Sequence, residues 1–305
     1  MILRNPLFVL MLVFSFGASL VYSQNRVRTV IIQTEPDAIV WIDNVKRGVT
    51  DENGKLEIKS VKSGTRKLRV RAMGFKQVSK NLLPRQRGVV KVPLVKTNDA
   101  AELAFQEGEK LLAEDKEKAI EQYQKAVRLK PRYAEAWVAL ARALTGIDNE
   151  EALAAIAKAR RARPRYAEAS AAEARIHRSD NDIDKAVESF DRAIREGRGF
   201  QPEAHTGLGL IFKDDATTAA SSGDTDEEQY NYGEAAKSFE KAIDQLSGTE
   251  PVLYILLGDV YEKMGNKQKA IAVYRRFLRD FPDHEERTAV ESFIVQLNRT
   301  TALDQ

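Results

Sequence analysis

From Ala100 to Pro282 the apolar positions recur at helical spacing, and a longer pattern is written over them five times. Each copy places a small residue, then an alanine about a dozen positions on (further in the fourth copy), then a bulky residue four later and a closing residue three after that. The small residues are Gly108, Ala141, Ala174, Gly209 and Gly258, and the alanines are Ala119, Ala152, Ala186, Ala235 and Ala270. The bulky residues are Tyr123, Ile156, Phe190, Phe239 and Tyr274, and the closing residues are Ala126, Ala159, Ala193, Ala242 and Phe277. The alanines step by 33, 34, 49 and 35 residues. A period in the thirties built from paired helical segments predicts a stacked solenoid, in which each pair buries its apolar face only against its neighbours.

This reading assigns five helix pairs to residues 98–283. His284 to Asn298 continues as one amphipathic helix with Val290, Phe293, Ile294 and Leu297 on one face, so 284–300 is expected to cap the open end of the stack. The irregular interval carries about 14 extra residues around 214–232. The segment DDATTAASSGDTDEEQ is small, polar and acidic, which predicts a mobile loop. Its carboxylates lack the alternate spacing and central glycine of a calcium loop, so no metal is expected there.

Upstream, over residues 24–97, the period is two. Val27–Gln33, Ala38–Asp43, Lys55–Lys59, Arg66–Ala72, Phe75–Ser79 and Val89–Val95 read as strands. Asn53-Gly54 suits a tight hairpin, Gly64, Gly74 and Gly88 punctuate the other joints, and Pro93 places the last strand at a sheet edge. Six short strands in so short a segment predict a small β-sandwich. The fold class expected is therefore multidomain, a small β-sandwich followed by an all-α solenoid. Val40 and Ile42 are expected to face the core and Trp41 the opposite side.

Net charge is only +3, but its distribution is lopsided. Residues 24–97 carry a net +11 and residues 98–305 a net −9. Beyond ordinary solubilising charge, such asymmetry suits a basic module that meets an anionic surface or the acidic part of its own chain. In Arg66–Ala72, strand alternation puts Lys67, Arg69 and Arg71 on one face and Leu68 and Val70 on the other. That basic face is a candidate for anionic lipid heads, acidic glycans or an acidic protein surface; a solvated outer face is the plainer alternative.

The first 23 residues have the layout of a secretory signal peptide: Arg4 in a short start, an apolar core Leu7–Phe16, and Val21-Tyr22-Ser23 before a cut that leaves Gln24 first. An uncleaved anchor helix is the competing reading, though the apolar stretch is short for a bilayer core of ~30 Å. Either way the protein is expected outside the cytoplasm, in the periplasm or cell envelope. There is no cysteine, which excludes disulfides, thiolate metal sites and cysteine nucleophiles.

Two resemblances follow from these residues. The repeats, with Trp137, Leu140, Ala141, Leu144, Ala152, Ile156, Ala159 and Pro164 in one copy and Tyr254, Leu257, Gly258, Tyr261, Ala270, Tyr274 and Pro282 in the last, resemble tetratricopeptide repeats (TPR). The β module resembles a PEGA domain through Thr34-Glu35-Pro36-Asp37-Ala38, Val40-Trp41-Ile42-Asp43, Gly48-Val49-Thr50, Gly64 and Met73-Gly74-Phe75; Asp37 stands where that family usually has glycine. The first resemblance implies a concave protein-binding groove, the second a surface-associated, extracytoplasmic module without enzymatic activity.

Carrying the TPR groove positions onto this chain gives three rows. They are Phe105, Val138, Ala171, Thr206 and Ile255; then Glu109, Arg142, Arg175, Leu210 and Asp259; then Leu112, Thr145, Arg178, Lys213 and Glu262. Phe105, Val138, Arg142, Arg175, Arg178 and Lys213 are the candidate partner-binding residues, suited to an acidic or carboxylate-bearing segment of a protein or peptide. The alternative is that these cations pair with neighbouring glutamates. The asparagines and lysines of the carboxylate-clamping TPR subgroup are missing. His177 and His205 fall on packing positions, and His284 has no metal-ligand neighbour at helical spacing. The expectation is a non-enzymatic exported scaffold without cofactor, metal or nucleic acid. Binding of cell-wall glycan or an acidic polymer is the alternative, and oligomeric state is not legible.

Overall fold

A computed structural model describes residues 27–303; the expected signal peptide 1–23 lies outside them. Seven strands form two sheets: β1 (Val27–Gln33), β2 (Ile39–Ile42), β3 (Val45–Val49), β4 (Lys55–Lys62), β5 (Arg66–Arg71), β6 (Val78–Leu82) and β7 (Gly88–Lys91). One sheet has the order β4-β1-β7, the other β3-β2-β5-β6. Their inner faces enclose Val30, Ile32, Val40, Ile42, Ile58, Leu68, Val70, Leu82 and Val90. Val40 and Ile42 point inward and Trp41 outward, as alternation requires. The last strand is an edge, parallel to β1.

Three strand details differ from the sequence reading. The strand read as Phe75–Ser79 runs instead over Val78–Leu82. β3 has no counterpart among the strands read from the alternation. It joins β2 through Asp43 and Asn44, both at positive φ (51° and 66°), the backbone of a type I′ hairpin turn. Asn53-Gly54, by contrast, is not a hairpin: it lies on the crossing from β3 to β4, between the two sheets. There Asp51 accepts from the Asn53 and Lys55 amides, and the Gly54 carbonyl accepts from Thr34.

The helical part contains five pairs: α1 (Ala100–Leu111) with α2 (Lys116–Leu129), α3 (Ala134–Leu144) with α4 (Asn149–Ala162), α5 (Ala167–Ser179) with α6 (Ile183–Glu196), α7 (Pro202–Ser222) with α8 (Thr225–Gln245), and α9 (Pro251–Lys263) with α10 (Lys267–Asp280). Within each pair the small residue of the first helix admits the bulky residue of the second. A Cβ on Gly108 would sit 2.7 Å from the Tyr123 ring, and one on Gly209 2.6 Å from the Phe239 ring. The five bulky residues are all buried. The second helix of every pair starts on an acidic or amide cap, Asp115, Asp148, Asp182, Asp224 or Asn266, whose side chain accepts the amide three residues on. The last helix, α11 (Arg287–Leu303), covers α10 with Val290, Ile294 and Leu297, while Phe293 stacks near Tyr274 at 5.6 Å.

The extra residues of the fourth pair do not form the expected loop. They lengthen both helices, leaving a turn at Gly223. Gly209 lies fifteen residues before its cap Asp224, where other pairs have seven or eight; Asp224 lies eleven before Ala235, where others have four. Seven residues per helix is close to two turns at 3.6 residues each, so the packing face keeps its register. Ala216 and Ala219 then meet the α8 side and are buried, as is Tyr232. An acidic, Thr/Ser-rich composition gives no hint of this, because the decisive quantity is the length of the insertion.

Candidate functional site

The β module lies against the concave side of the solenoid. At one end Gln106 of α1, nearly fully buried, accepts from the Gly74 amide and donates to the Phe75 carbonyl, each at 2.9 Å. This uses the Met73-Gly74-Phe75 turn, where Gly74 sits at φ +79°. Beside it Arg71 pairs with Glu109 and lies 4.9 Å over the Phe105 ring. At the other end Lys62 donates to the carboxylate and the carbonyl of Asp244, at 2.7 and 3.0 Å, near the end of α8. The module thus bridges the first pair and the fourth. Between it and the first helix of each pair lies a cavity of about 1250 Å³.

The basic stripe of β5 is therefore not an open outer face. Lys67 is exposed, but Arg69 and Arg71 line the cavity. Arg69 stacks 4.3 Å over Trp41, with Arg71 at 5.1 Å from the same ring. Among the described residues Arg69 has no ion-pair partner, and its Nε is buried without an acceptor. Burial and the neighbouring Arg71 hold its pKa below the usual guanidinium value, against the pull of Tyr166, Glu168 and Glu109. Burial pushes the Glu109 carboxyl up, opposed by Arg71 and Arg69.

The groove positions fall largely where the repeat register puts them. Phe105, Val138, Arg142, Arg175 and Arg178 line the cavity; Lys213 does not, and pairs with Asp259 at 3.0 Å. Phe105 and Val138 are themselves buried, Phe105 partly beneath Arg71. Arg142 and Arg175 share the single carboxylate of Glu203, and Arg178 reaches Asp214 at 3.2 Å. The cations are thus engaged within the protein, with two guanidiniums drawn to one carboxylate at the centre of the groove.

The structure adds an acidic row that the sequence reading lacks. Glu102, Glu135, Glu168 and Glu203 lie three residues before Phe105, Val138, Ala171 and Thr206, so each stands one turn earlier on the same strip. All four line the cavity from the first turn of their helix, where the dipole favours a carboxylate. Glu102 accepts from Tyr133 and Gln106, Glu135 from Arg163, and Glu203 from the two arginines. The i−3 offset from the first groove row is the signal in the sequence that marks it. Of the module's cations, Lys46, Arg69 and Arg71 share the cavity with this row.

His205 is half-buried, with its Nε2 lacking an acceptor, and burial holds its pKa below the ordinary imidazole value. Among the described residues no group of three His, Asp or Glu is arranged to hold a metal ion, and no helix is long and apolar enough to cross a membrane.

Profiles of the tetratricopeptide repeat match residues 109–146, 148–212 and 254–284. The lengthened α7–α8 hairpin falls largely between the matched stretches. No curated protein matches the sequence. Among solved structures, yeast Tom70 is similar at 17% identity with a TM-score of 0.54, over 67% of this chain and 41% of that one. A thermophilic TPR protein of Thermus thermophilus is 20% identical with a TM-score of 0.49, over 64% of this chain and 100% of that one. MamA is 20% identical with a TM-score of 0.40, over 60% and 92%. The Tom70 likeness concerns the fold. The stretches 109–146, 148–212 and 254–284 thus match tetratricopeptide repeats, within a helical solenoid that follows two β-sheets, an architecture suited to protein–protein interaction.

Proposed function

We propose that the protein is a non-enzymatic scaffold of the cell envelope, exported through its N-terminal segment, that holds a protein partner in the groove of its repeats. The observation that carries this is the continuity of the groove: side chains from the first helices of successive pairs, Phe105, Val138, Arg142, Arg175, Thr206 and Leu210, line one cavity. Stacked repeats offer such extended concave surfaces for binding, and a site with several cations favours an acidic or carboxylate-bearing segment. The apolar run Leu7–Phe16 and the Val21-Tyr22-Ser23 junction support export, and the strand and turn pattern of residues 24–97 supports kinship with the PEGA domain. Of the basic β-face, only Lys67 is left to meet an outside surface, since Arg69 and Arg71 turn inward.

The test is site-specific photo-crosslinking in the native envelope. A crosslinker at Leu210, in the groove, is expected to capture a partner that one at the exposed Arg161 of α4 does not. Capture from Arg161 alone would overturn the groove reading. N-terminal sequencing of the mature protein is expected to start at Gln24; an intact Met1 with membrane association would support the anchor instead.

A further inference from the structure

The two surfaces that the sequence separates, the basic β-face and the repeat groove, are opposite walls of one cavity. Its volume, about 1250 Å³, exceeds the ~300–1,000 Å³ common for small-molecule sites. The module's contacts at α1 and at Asp244 bound it on two sides, which excludes a folded domain and leaves room for a chain segment.

Besides single cations such as Lys46 and Arg165, arginines stand in pairs at two places on its walls. On the module wall Arg69 and Arg71 stand beside one carboxylate, Glu109. On the solenoid wall Arg142 and Arg175 share one carboxylate, Glu203. Each pair of arginines has a single carboxylate at ion-pair distance among the described residues, and in each a guanidinium Nε, of Arg69 and of Arg142, is buried without an acceptor. In the acidic row Glu102, Glu135 and Glu203 already accept from protein donors, and Glu168 acts on Arg69 through space. Trp41 supplies an aromatic platform beneath the module's arginines.

We infer that the site is composite: an extended acidic segment of a partner protein lies between the β module and the helices, with one carboxylate at Arg69–Arg71 and another at Arg142–Arg175. This rests on the groove reading above and adds to it a second, module-borne half. A planar guanidinium pair suits a carboxylate bidentately, and partial desolvation in the cavity makes such contacts stronger than exposed surface pairs. Binding then requires both domains in one chain, and the partner segment must be unstructured to enter.

The experiment uses the full chain and a short fluorescein-labelled Glu-rich peptide, with its Gln-for-Glu counterpart as control, read by anisotropy at low and high salt. The Glu-rich peptide is expected to bind, to weaken with salt, and to lose affinity about tenfold on Arg69→Gln and about tenfold on Arg175→Gln, the loss expected for one charge-assisted contact. Arg69→Lys, which keeps the charge and the stacking on Trp41, is expected to retain part of the affinity and guards against a folding defect. If Arg175→Gln weakens binding and Arg69→Gln does not, the composite site is overturned while the groove reading stands. If neither variant changes binding, both are overturned. No binding of the Glu-rich peptide overturns the composite site, and binding of an acidic polysaccharide in its place would assign the cavity to glycan.

Discussion

The same substitution, glycine to alanine, is expected to have opposite effects at two positions of one helix pair. Gly209 on α7 faces Phe239 of α8. A Cβ there would lie 2.6 Å and 2.7 Å from two ring carbons, where ordinary carbon contacts begin near ~3.5 Å. The ring would have to retreat by about 0.9 Å, yet Phe239 is fully buried and closely surrounded. Overpacking of this kind costs about 1–3 kcal/mol, against about 1 kcal/mol gained from the better helix former. Gly233 on α8 has nothing within 4 Å of its Cβ direction and ordinary helical backbone, so Gly233→Ala collects the gain without the cost. Gly209→Ala is thus expected to destabilise by about 1 kcal/mol and Gly233→Ala to stabilise by about 1 kcal/mol. Thermal unfolding by far-UV circular dichroism should show midpoints moving in opposite directions by about 2–4 °C each. If both variants raised the midpoint together, the close approach of α7 and α8 at Gly209, and with it the small-residue rule of the repeats, would be refuted.

Three further outcomes are expected. Ala152→Trp or Gly258→Trp wedges apart a helix pair at a closed contact, costing more than the usual ~1–3 kcal/mol of overpacking, while the β module keeps its own core; helical melting unchanged in both would overturn the register. Since burial holds the His205 imidazole below its ordinary value, the unfolded chain takes up that proton first, and stability falls as pH drops through about 6.5. His205→Gln should flatten that part of a urea-midpoint profile, and an unaltered slope speaks against it. Asp244→Lys removes a partly exposed clasp worth ~0–1 kcal/mol and sets two lysines side by side, so the module should swing from α8 and the radius of gyration by small-angle scattering rise; a superimposable scattering curve counts against the bridge.

The repeat architecture is legible because its determinants are local and periodic. Gly108, Ala141, Ala174, Gly209 and Gly258 recur at a nearly fixed distance from the alanine and bulky residue they must admit, and a helix converts such spacing directly into a face. The inward set of the β module is legible for the same reason at period two, as Val40, Ile42, Leu68 and Val70 show. The I′ turn at Asp43-Asn44 carries no glycine, and its Asp and Asn, which tolerate positive φ, are a fainter signal than Asn53-Gly54. The insertion is deceptive because its composition is that of a loop, while its length, seven residues on each helix, is that of two turns.

The repeats and the cation excess of the β module can be read directly from the order of residues. That Arg69 and Arg71 turn toward the groove is settled by long-range packing. That placement depends on contacts between residues far apart in the chain, Arg71 with Glu109, Gly74 and Phe75 with Gln106, and Lys62 with Asp244. None of these pairings repeats with any period, so no local pattern announces them. Charge asymmetry was compatible with solubilising charge, with an outside anionic surface and with the chain's own acidic part, because an unscreened charge acts in every direction and the direction is fixed by which short-range contacts the folded surfaces can close.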